Sequence, residues 1–298
     1  PKSQASAGFL AYVATSKYAD GLPLYRQFHI FNRIGIDQQR HTLAQQMIKV
    51  GQLSQPMINL LQDKALEYPV VQMDETVTQV LKEPGKTAQS QSYMWVMRGG
   101  PPRQSVVLFH YDATRRQTVP ERLLANYQGY LQTDGYAGYN LVLASEQIRG
   151  VGCWAHARRK FTDAQKALGK HSVKAKRVQT ALSTIAKLYA IEKTLNDSDP
   201  DQRYAVRQQQ SLPVLQEFKT WLEAQNVNPK SKLGEAIAYT QNQWSRLMVY
   251  CDDGRLQIDN NGVENKIRPF AIGRKNWLFS SSQRGADASA NLYSLIET

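Results

Sequence analysis

Three apolar runs set the architecture of the first half of the chain. They are Val70-Val71-Gln72-Met73-Asp74-Glu75-Thr76, Tyr93-Met94-Trp95-Val96-Met97 and Val106-Val107-Leu108-Phe109-His110-Tyr111. Short runs rich in β-branched and aromatic side chains read as buried strands. Gly99-Gly100-Pro101-Pro102 supplies a loop between the second and third. Three consecutive strands with short connections predict an antiparallel meander. A helix at 121–127 and two more strands, at 129–135 and 148–154, are expected to follow. The first and fourth strands both end in acid, at Asp74-Glu75 and at Asp134, where Gly135 makes a turn.

The period changes in the second half. Val178, Leu182, Ile185, Leu188, Tyr189 and Leu195 recur at helical spacing, as do Leu212, Leu215, Phe218 and Leu222, and then Leu233, Ile237, Trp244, Leu247 and Met248. Residues 178–250 are therefore expected to be wholly helical, with turns at 197–200 and 226–229. These stripes are core positions rather than a cofactor site. A short strand at 277–279 and a helix over 286–296 are expected after them. At the other end, residues 1–20 carry little pattern. Leu24, Phe28, Phe31 and Ile34 predict a helix that Gly35 breaks. Thr42-x-x-Gln45 has capping-box spacing ahead of Leu43, Met47 and Val50, which predicts a second helix. Helix, turn and helix, with Arg26, Arg33, Arg40 and Lys49 nearby, make residues 1–60 a candidate helix-turn-helix unit.

Charge narrows the partner. The 298 residues have 42% apolar content, enough for a core, and a formal net charge of +12. Such an excess points to a polyanion, most commonly nucleic acid. From Arg158 to Arg177 there are eight cations (Arg158, Arg159, Lys160, Lys166, Lys170, Lys174, Lys176, Arg177) against the single acid Asp163. That density of one sign favours a phosphate-contacting surface over a solvated face. No run of 18 apolar residues occurs, so no membrane span is expected. Cys153 and Cys251 are too few for a disulfide framework, and a reducing cytoplasm is the expected location.

The chemistry gathers in Ile258-Asp259-Asn260-Asn261-Gly262-Val263-Glu264-Asn265-Lys266-Ile267-Arg268-Pro269. A short helix is expected between the asparagines and Pro269, with Val263 and Ile267 on one face and Glu264 and Arg268 on the next. Glu264 then stands among Lys266, Arg268, Arg274 and Lys275, as a site for a metal and a polyanion would require. Asn261-x-x-Glu264 also fits a capping box, which would make Glu264 structural. Asp74 and Asp134 at strand ends, with Glu264 on a helix, would suit Mg²⁺, which needs few carboxylates. Two such ions about 4 Å apart could activate a water or a 3′-hydroxyl against a phosphodiester. Glu75, Asp112, Asp252, Asp253 and Asp259 are competing acids, and pattern alone does not choose among them. Cys153-x-x-His156 does not predict a closed zinc site, because no second ligand pair stands at metal spacing. Cys153 is expected to be buried, and His156 to orient a group near the acids.

Together these stretches resemble a transposase of the insertion-sequence 66 family, a group of bacterial Asp-Asp-Glu transposases. The resemblance is carried in order by residues 16–27 (SKYADGLPLYRQ), Asp74-Glu75-Thr76, residues 133–139 (TDGYAGY), residues 153–161 (CWAHARRKF) and residues 258–279. It implies an α/β, ribonuclease-H-like mixed five-stranded sheet with flanking helices and an all-helical insertion. The core would be residues 61–164 and 251–298, the insertion 165–250, and the N-terminal helical unit 1–60. It implies Asp74, Asp134 and Glu264 as the catalytic and metal-holding triad, and matches Cys153 and His156 to the family's Cys-x-x-His signature. Two Mg²⁺ ions are then expected, with Mn²⁺ able to substitute. Arg158, Arg159, Lys160, Arg268, Arg274 and Lys275 are expected DNA contacts, with Asn261 near the site. The expected activity is strand cleavage and strand transfer at element ends and target DNA, by a nucleoid-associated homo-oligomer with companion proteins from the same element. A nuclease that never joins strands, or an inactive DNA-binding protein, are the alternatives. The family's upstream dimerisation and zinc-binding region and its short C-terminal tail are not among these residues.

Overall fold

The computed structural model describes residues 5–102, 104–168 and 173–298, without the side chains of Val173 and Lys174. Lys170 and the Lys174 side chain of the basic run lie outside the described residues. The chain is mixed α/β with six strands among the described residues. In chain order it begins with α1 (Ala7–Tyr18), α2 (Leu24–Arg33), α3 (Arg40–Leu53) and α4 (Gln55–Leu66). Then come β1 (Val70–Lys82), β2 (Gln91–Gly99), β3 (Val106–Asp112), α5 (Thr118–Leu123), β4 (Gly129–Gln132), α6 (Asn140–Leu143) and β5 (Ile148–Val151). Helices α7 (Trp154–Ala167), α8 (Val173–Thr194), α9 (Pro200–Val206), α10 (Leu212–Glu223), α11 (Lys232–Asn242) and α12 (Trp244–Met248) follow. The chain closes with α13 (Asn261–Trp277), β6 (Ser280–Ser282) and α14 (Gln283–Glu297). No described helix is long and apolar enough to cross a membrane.

Two compact units share these elements. The first comprises Pro1–Gly129, Gly138–Gln147 and Gly262–Thr298. Within it, β1, β2 and β3 form the expected antiparallel meander, with Asp74 opposite Val96 and Val96 opposite Phe109. β6 runs parallel to β1, pairing Val80 with Ser280. The first strand is longer than its apolar run. Thr76, Val77, Thr78 and Val80 are β-branched and stay extended, and Thr78 and Val80 are buried. Asp74 therefore lies inside a strand, not at its end. Phe31, Leu43 and Met47 from α2 and α3 share one core with Val80, Val96, Phe109, Phe270 and Tyr293. α3 starts at Arg40, so Thr42 sits inside the helix and caps nothing. β3 would be an open edge. Instead the Ser294 hydroxyl accepts the Phe109 N–H at 2.8 Å, and the Thr298 hydroxyl accepts the Val107 N–H at 3.0 Å. Side-chain oxygens from the C-terminal end of the chain thus replace a missing strand partner.

Pro269 does not stop α13, which runs on to Trp277. Proline removes one ladder bond and strains the preceding turn. Burial of Val263 ahead of it and Phe270 behind it holds the helix together regardless. Residues 277–279 end this helix rather than forming a strand; the strand comes at Ser280–Ser282.

The second unit is Tyr130–Ala137 with Ile148–Asn261. Here the Thr133 N–H donates to the Val151 carbonyl at 3.2 Å. β5 ends at Val151, and Trp154 already belongs to α7. Trp154, Ala157, Phe161 and Ala164 make the buried stripe of α7, leaving Arg158, Arg159 and Lys160 exposed. Trp154, Phe218 and Trp244 meet edge to face or tilted, with centroids 6.0–6.2 Å apart. A π-helical turn, Arg207–Ser211, joins α9 to α10. Pro213 has no N–H for the carbonyl four residues back, which favours such a wider turn.

Candidate catalytic site

In the first unit, the site begins with strand geometry. Gln72, Asp74 and Thr76 alternate onto one face of β1, and Met73 and Glu75 onto the other. α13 lies along the Asp74 face. Its Gly262 is so close to Gln72 that an added Cβ would come within 2.2 Å of the amide oxygen. Arg98 donates to that same oxygen at 3.1 Å and fixes it. Twelve residues along the helix, Arg274 donates to the Thr76 hydroxyl at 3.2 Å and to the Val77 carbonyl. Asp74 thus lies between the two points where α13 touches the strand. Its Oδ1 accepts the Glu75 N–H at 2.8 Å, and its side chain is half-buried. Glu264, two residues beyond Gly262, is also half-buried.

Helix α13 begins at Asn261, which makes Glu264 its fourth residue, whereas a capping box sets its Glu at the third. Asn261 is itself held by Asp259, which accepts its backbone N–H at 3.1 Å and its side-chain amide at 2.8 Å.

The competing acids are each engaged by a neighbouring side chain. Glu75 accepts from Arg115 Nε at 2.7 Å and from the Tyr139 hydroxyl at 2.7 Å, and its side chain is 1% exposed. Asp112 pairs with Arg122 at 3.0 Å and accepts from Thr114. In the second unit, Asp252 pairs with Arg149 and Asp253 with Arg255 at 2.6 Å. Asp259 also accepts from Tyr189 at 2.9 Å. Burial, reinforced by Asp259, pushes the Tyr189 phenol up, so it stays a neutral donor.

The second unit holds the remaining candidates. Asp134 Oδ1 accepts the Tyr136 N–H at 2.8 Å, closing the turn after β4, and its carbonyl accepts from Tyr239 at 2.8 Å. The side chain is half-buried. Cys153 is buried at the cap position of α7, and its Sγ accepts the Asn260 N–H at 3.2 Å. Next to it, the Trp154 N–H donates to Ile258 at 3.1 Å. The Cys-Trp pair thus ties the start of α7 to the strand of sequence ahead of Glu264. No disulfide joins Cys153 to Cys251. Arg159 donates to His156 Nε2 at 3.2 Å. Arg158 lies 5.9 Å from the Tyr189 ring and Lys160 5.8 Å from the Tyr239 ring. In the first unit, Arg268 and Lys275 are exposed, and Lys266 is paired with Glu297 at 3.3 Å.

One residue escaped the sequence pattern. Arg207 is fully buried. It forms a fork with Glu192, at 2.8 and 2.7 Å, and donates to the carbonyls of Tyr250, Asp253 and Leu256. It pins the loop that leads in sequence to Asp259. The only local signal was Pro213 and the turn it imposes, which the apolar stripes around it masked.

The sequence model described as Transposase IS66 family matches residues 2–288. Three proteins of Sinorhizobium fredii (strain NBRC 101917 / NGR234) are similar. Uncharacterized protein y4qI is 35% identical over 97% of this chain and 55% of its own length. Uncharacterized protein y4jD is 32% identical over 99% and 59%, and uncharacterized protein y4hP 30% identical over 100% and 57%. The chain thus spans little more than half the length of these relatives.

Proposed function

Since this chain belongs to the IS66 family of transposases, we propose that it cuts DNA at the ends of a mobile element and joins those ends to a target. The observation that carries this reading is the placement of Asp74 beneath α13, the helix that bears Glu264. A ribonuclease-H-like arrangement of the strands, with residues 165–250 as an insertion, accords with the meander and the helical run. Asp74, Asp134 and Glu264 would hold divalent metal. All three are half-buried oxygen donors, the ligand type that Mg²⁺ or Mn²⁺ takes. When bound, two such ions would activate a water or a 3′-hydroxyl and stabilise the leaving oxygen of the phosphodiester.

The chain's own residues supply position and charge. β1 fixes Asp74 in a rigid ladder, and the Asx turn fixes Asp134. Arg98 and Gln72 set the start of α13, and Arg274 sets its far end. Asp259, held by Tyr189, fixes Asn261 at the head of the helix. Arg158, Arg159 and Lys160, exposed on α7, and Arg268 and Lys275, exposed on α13, would bind the phosphate backbone. Phosphoryl transfer asks little more of a protein than this. A reaction on chromosomal DNA places the protein in the cytoplasm, on the nucleoid, as an oligomer that brings two element ends together with companion proteins.

The test is a product assay on a labelled element-end duplex with Mg²⁺. Joined products that disappear in Asp74→Asn support the proposal. Nicks without joining would leave a plain nuclease, and neither product would leave a DNA-binding protein.

A further inference from the structure

Residues 16–27 carry the family resemblance but no part of the catalytic account, and they build a separate groove. Lys17, Tyr18, Pro23, Leu24, Tyr25 and Arg26 line a cleft of about 700 Å³ in the first unit. α3 contributes Arg40 and His41 to it, and the end of α13 contributes Asn276 and Trp277. Phe279 and the three serines of β6 line it too, over an apolar floor that includes Met47, Ile48 and Ala288, and among the described lining residues none is Asp or Glu. Lys17 Nζ stands 4.8 Å from the Tyr18 ring and 5.1 Å from the Trp277 ring, so aromatic faces hold a cation at the wall. Tyr25 packs its edge on His29 at 4.5 Å yet is 55% exposed, and Phe279 is 39% exposed. Between Trp277 and Phe279 in sequence, Leu278 has φ 67°, a left-handed conformation that a leucine rarely adopts. It turns the chain out of α13 and leaves Phe279 at the surface. Arg26 also lines an adjoining cleft with His29 and Arg33, which extends the basic track along α2.

We propose that this groove binds single-stranded DNA, with bases stacked on Tyr25 and Phe279 and phosphates held by Lys17, Arg26 and Arg40. Exposed aromatic rings interleaved with cations are the means by which proteins hold unpaired strands without reading their sequence. The cleft volume falls within the range of about 300–1,000 Å³ typical of small-ligand pockets, which admits nucleotides singly and not a duplex. Serine hydroxyls and the Asn276 amide supply polar contacts between ring and phosphate. The choice of DNA as ligand rests on the proposed function. The site is separate from Asp74 and Glu264, so cleavage and strand capture can fail independently.

The experiment measures the affinity of the purified chain for a fluorescein-labelled oligothymidylate and for a duplex of equal length. A 2-aminopurine within the single strand reports stacking. Tyr25→Ala, at an exposed position, should weaken single-strand binding at least about fivefold and abolish the 2-aminopurine quench, while Tyr25→Phe keeps both. Arg26→Ala and Arg40→Ala should each flatten the salt dependence for the single strand by about 0.7 in log–log slope. Arg158→Ala with Arg159→Ala should weaken duplex binding while the 2-aminopurine quench in the single strand stays as in the parent. Unchanged affinity and quench in a normally melting Tyr25→Ala protein would overturn the proposal. Equal losses on duplex and single strand would do the same, by making the groove a general phosphate surface. Asp74→Asn should cut no DNA yet bind the oligothymidylate normally, which separates this inference from the catalytic one.

Discussion

Asp74 and Glu75 are neighbours in sequence, but the pleat of β1 sends them to opposite faces. Glu75 is taken up by Arg115 and Tyr139 behind the sheet, and Asp74 faces α13. A motif of adjacent acids is therefore divided between the two faces of the sheet, with Glu75 bound by Arg115 and Tyr139. His110, on the same side of the sheet as Glu75 by strand alternation through its partner Trp95, shows a different consequence of burial. Burial first, then the Arg122 guanidinium beside it, pushes its pKa down to about 4, with Asp112 opposing. The sign follows from linkage. Between about pH 6.5 and 4 the unfolded chain protonates His110 and the folded chain does not, so this group's contribution is full above that window and lost as pH falls through it. His110→Gln should therefore lose less stability than the parent when acidified from about pH 7 to 4.5. Parallel melting curves for the two proteins across that range would contradict the assignment.

The helical second unit holds its own buried polar centre at Arg207. Arg207→Leu would remove the guanidinium donor of the Tyr250 and Asp253 carbonyls and leave the Glu192 carboxylate and the Leu256 carbonyl to Arg203 alone, at 3.5 and 3.1 Å. Breaking a buried pair from one side costs about 3–5 kcal/mol. Urea unfolding should register a loss of that size, and a change under about 1 kcal/mol would show that water readily replaces the guanidinium. In the sequence only Pro213 hinted at this. Arginine beside three glutamines reads as solvent-facing, and only the fold buries it. The meander was legible because Val, Trp, Phe and Tyr cluster in runs of strand length, and α2 because its apolar residues recur at helical spacing. The extension of β1 past Thr76 to Lys82 was not, since Thr78, Gln79 and Lys82 break the apolar run. Nor was the passage of α13 through Pro269, where the local rule predicts a break and core packing at Val263 and Phe270 overrides it. α1 and α4 were missed because residues before Leu22 and after Leu53 show no clean stripe. Among the site residues, the sequence could nominate Asp74, Asp134 and Glu264 but not clear the rival acids, because Glu75, Asp252 and Asp259 find partners in remote segments, at Arg115, Arg149 and Tyr189.

At the scale of the molecule, a net charge of +12 is distributed unevenly, and α7 presents three consecutive exposed cations. If those contact phosphate, each releases counterions, at about 0.9 in log–log slope for a duplex. Replacing Arg158, Arg159 and Lys160 together by Ala should lower the salt slope of duplex binding by up to about 2.7. An unchanged slope would make them a solvated face. The catalytic account turns on Glu264, and the most direct test is Glu264→Gln, which keeps size and hydrogen bonding but removes the charge a hard cation requires. Helix α13 should form as before, and melting temperature and duplex affinity should match the parent. Mg²⁺-dependent strand cleavage, measured on the same preparation, should fall by at least about a hundredfold, as expected when charge stabilisation is lost. Cleavage at the parent rate by a fully folded Glu264→Gln protein would contradict the account and return Glu264 to a structural role.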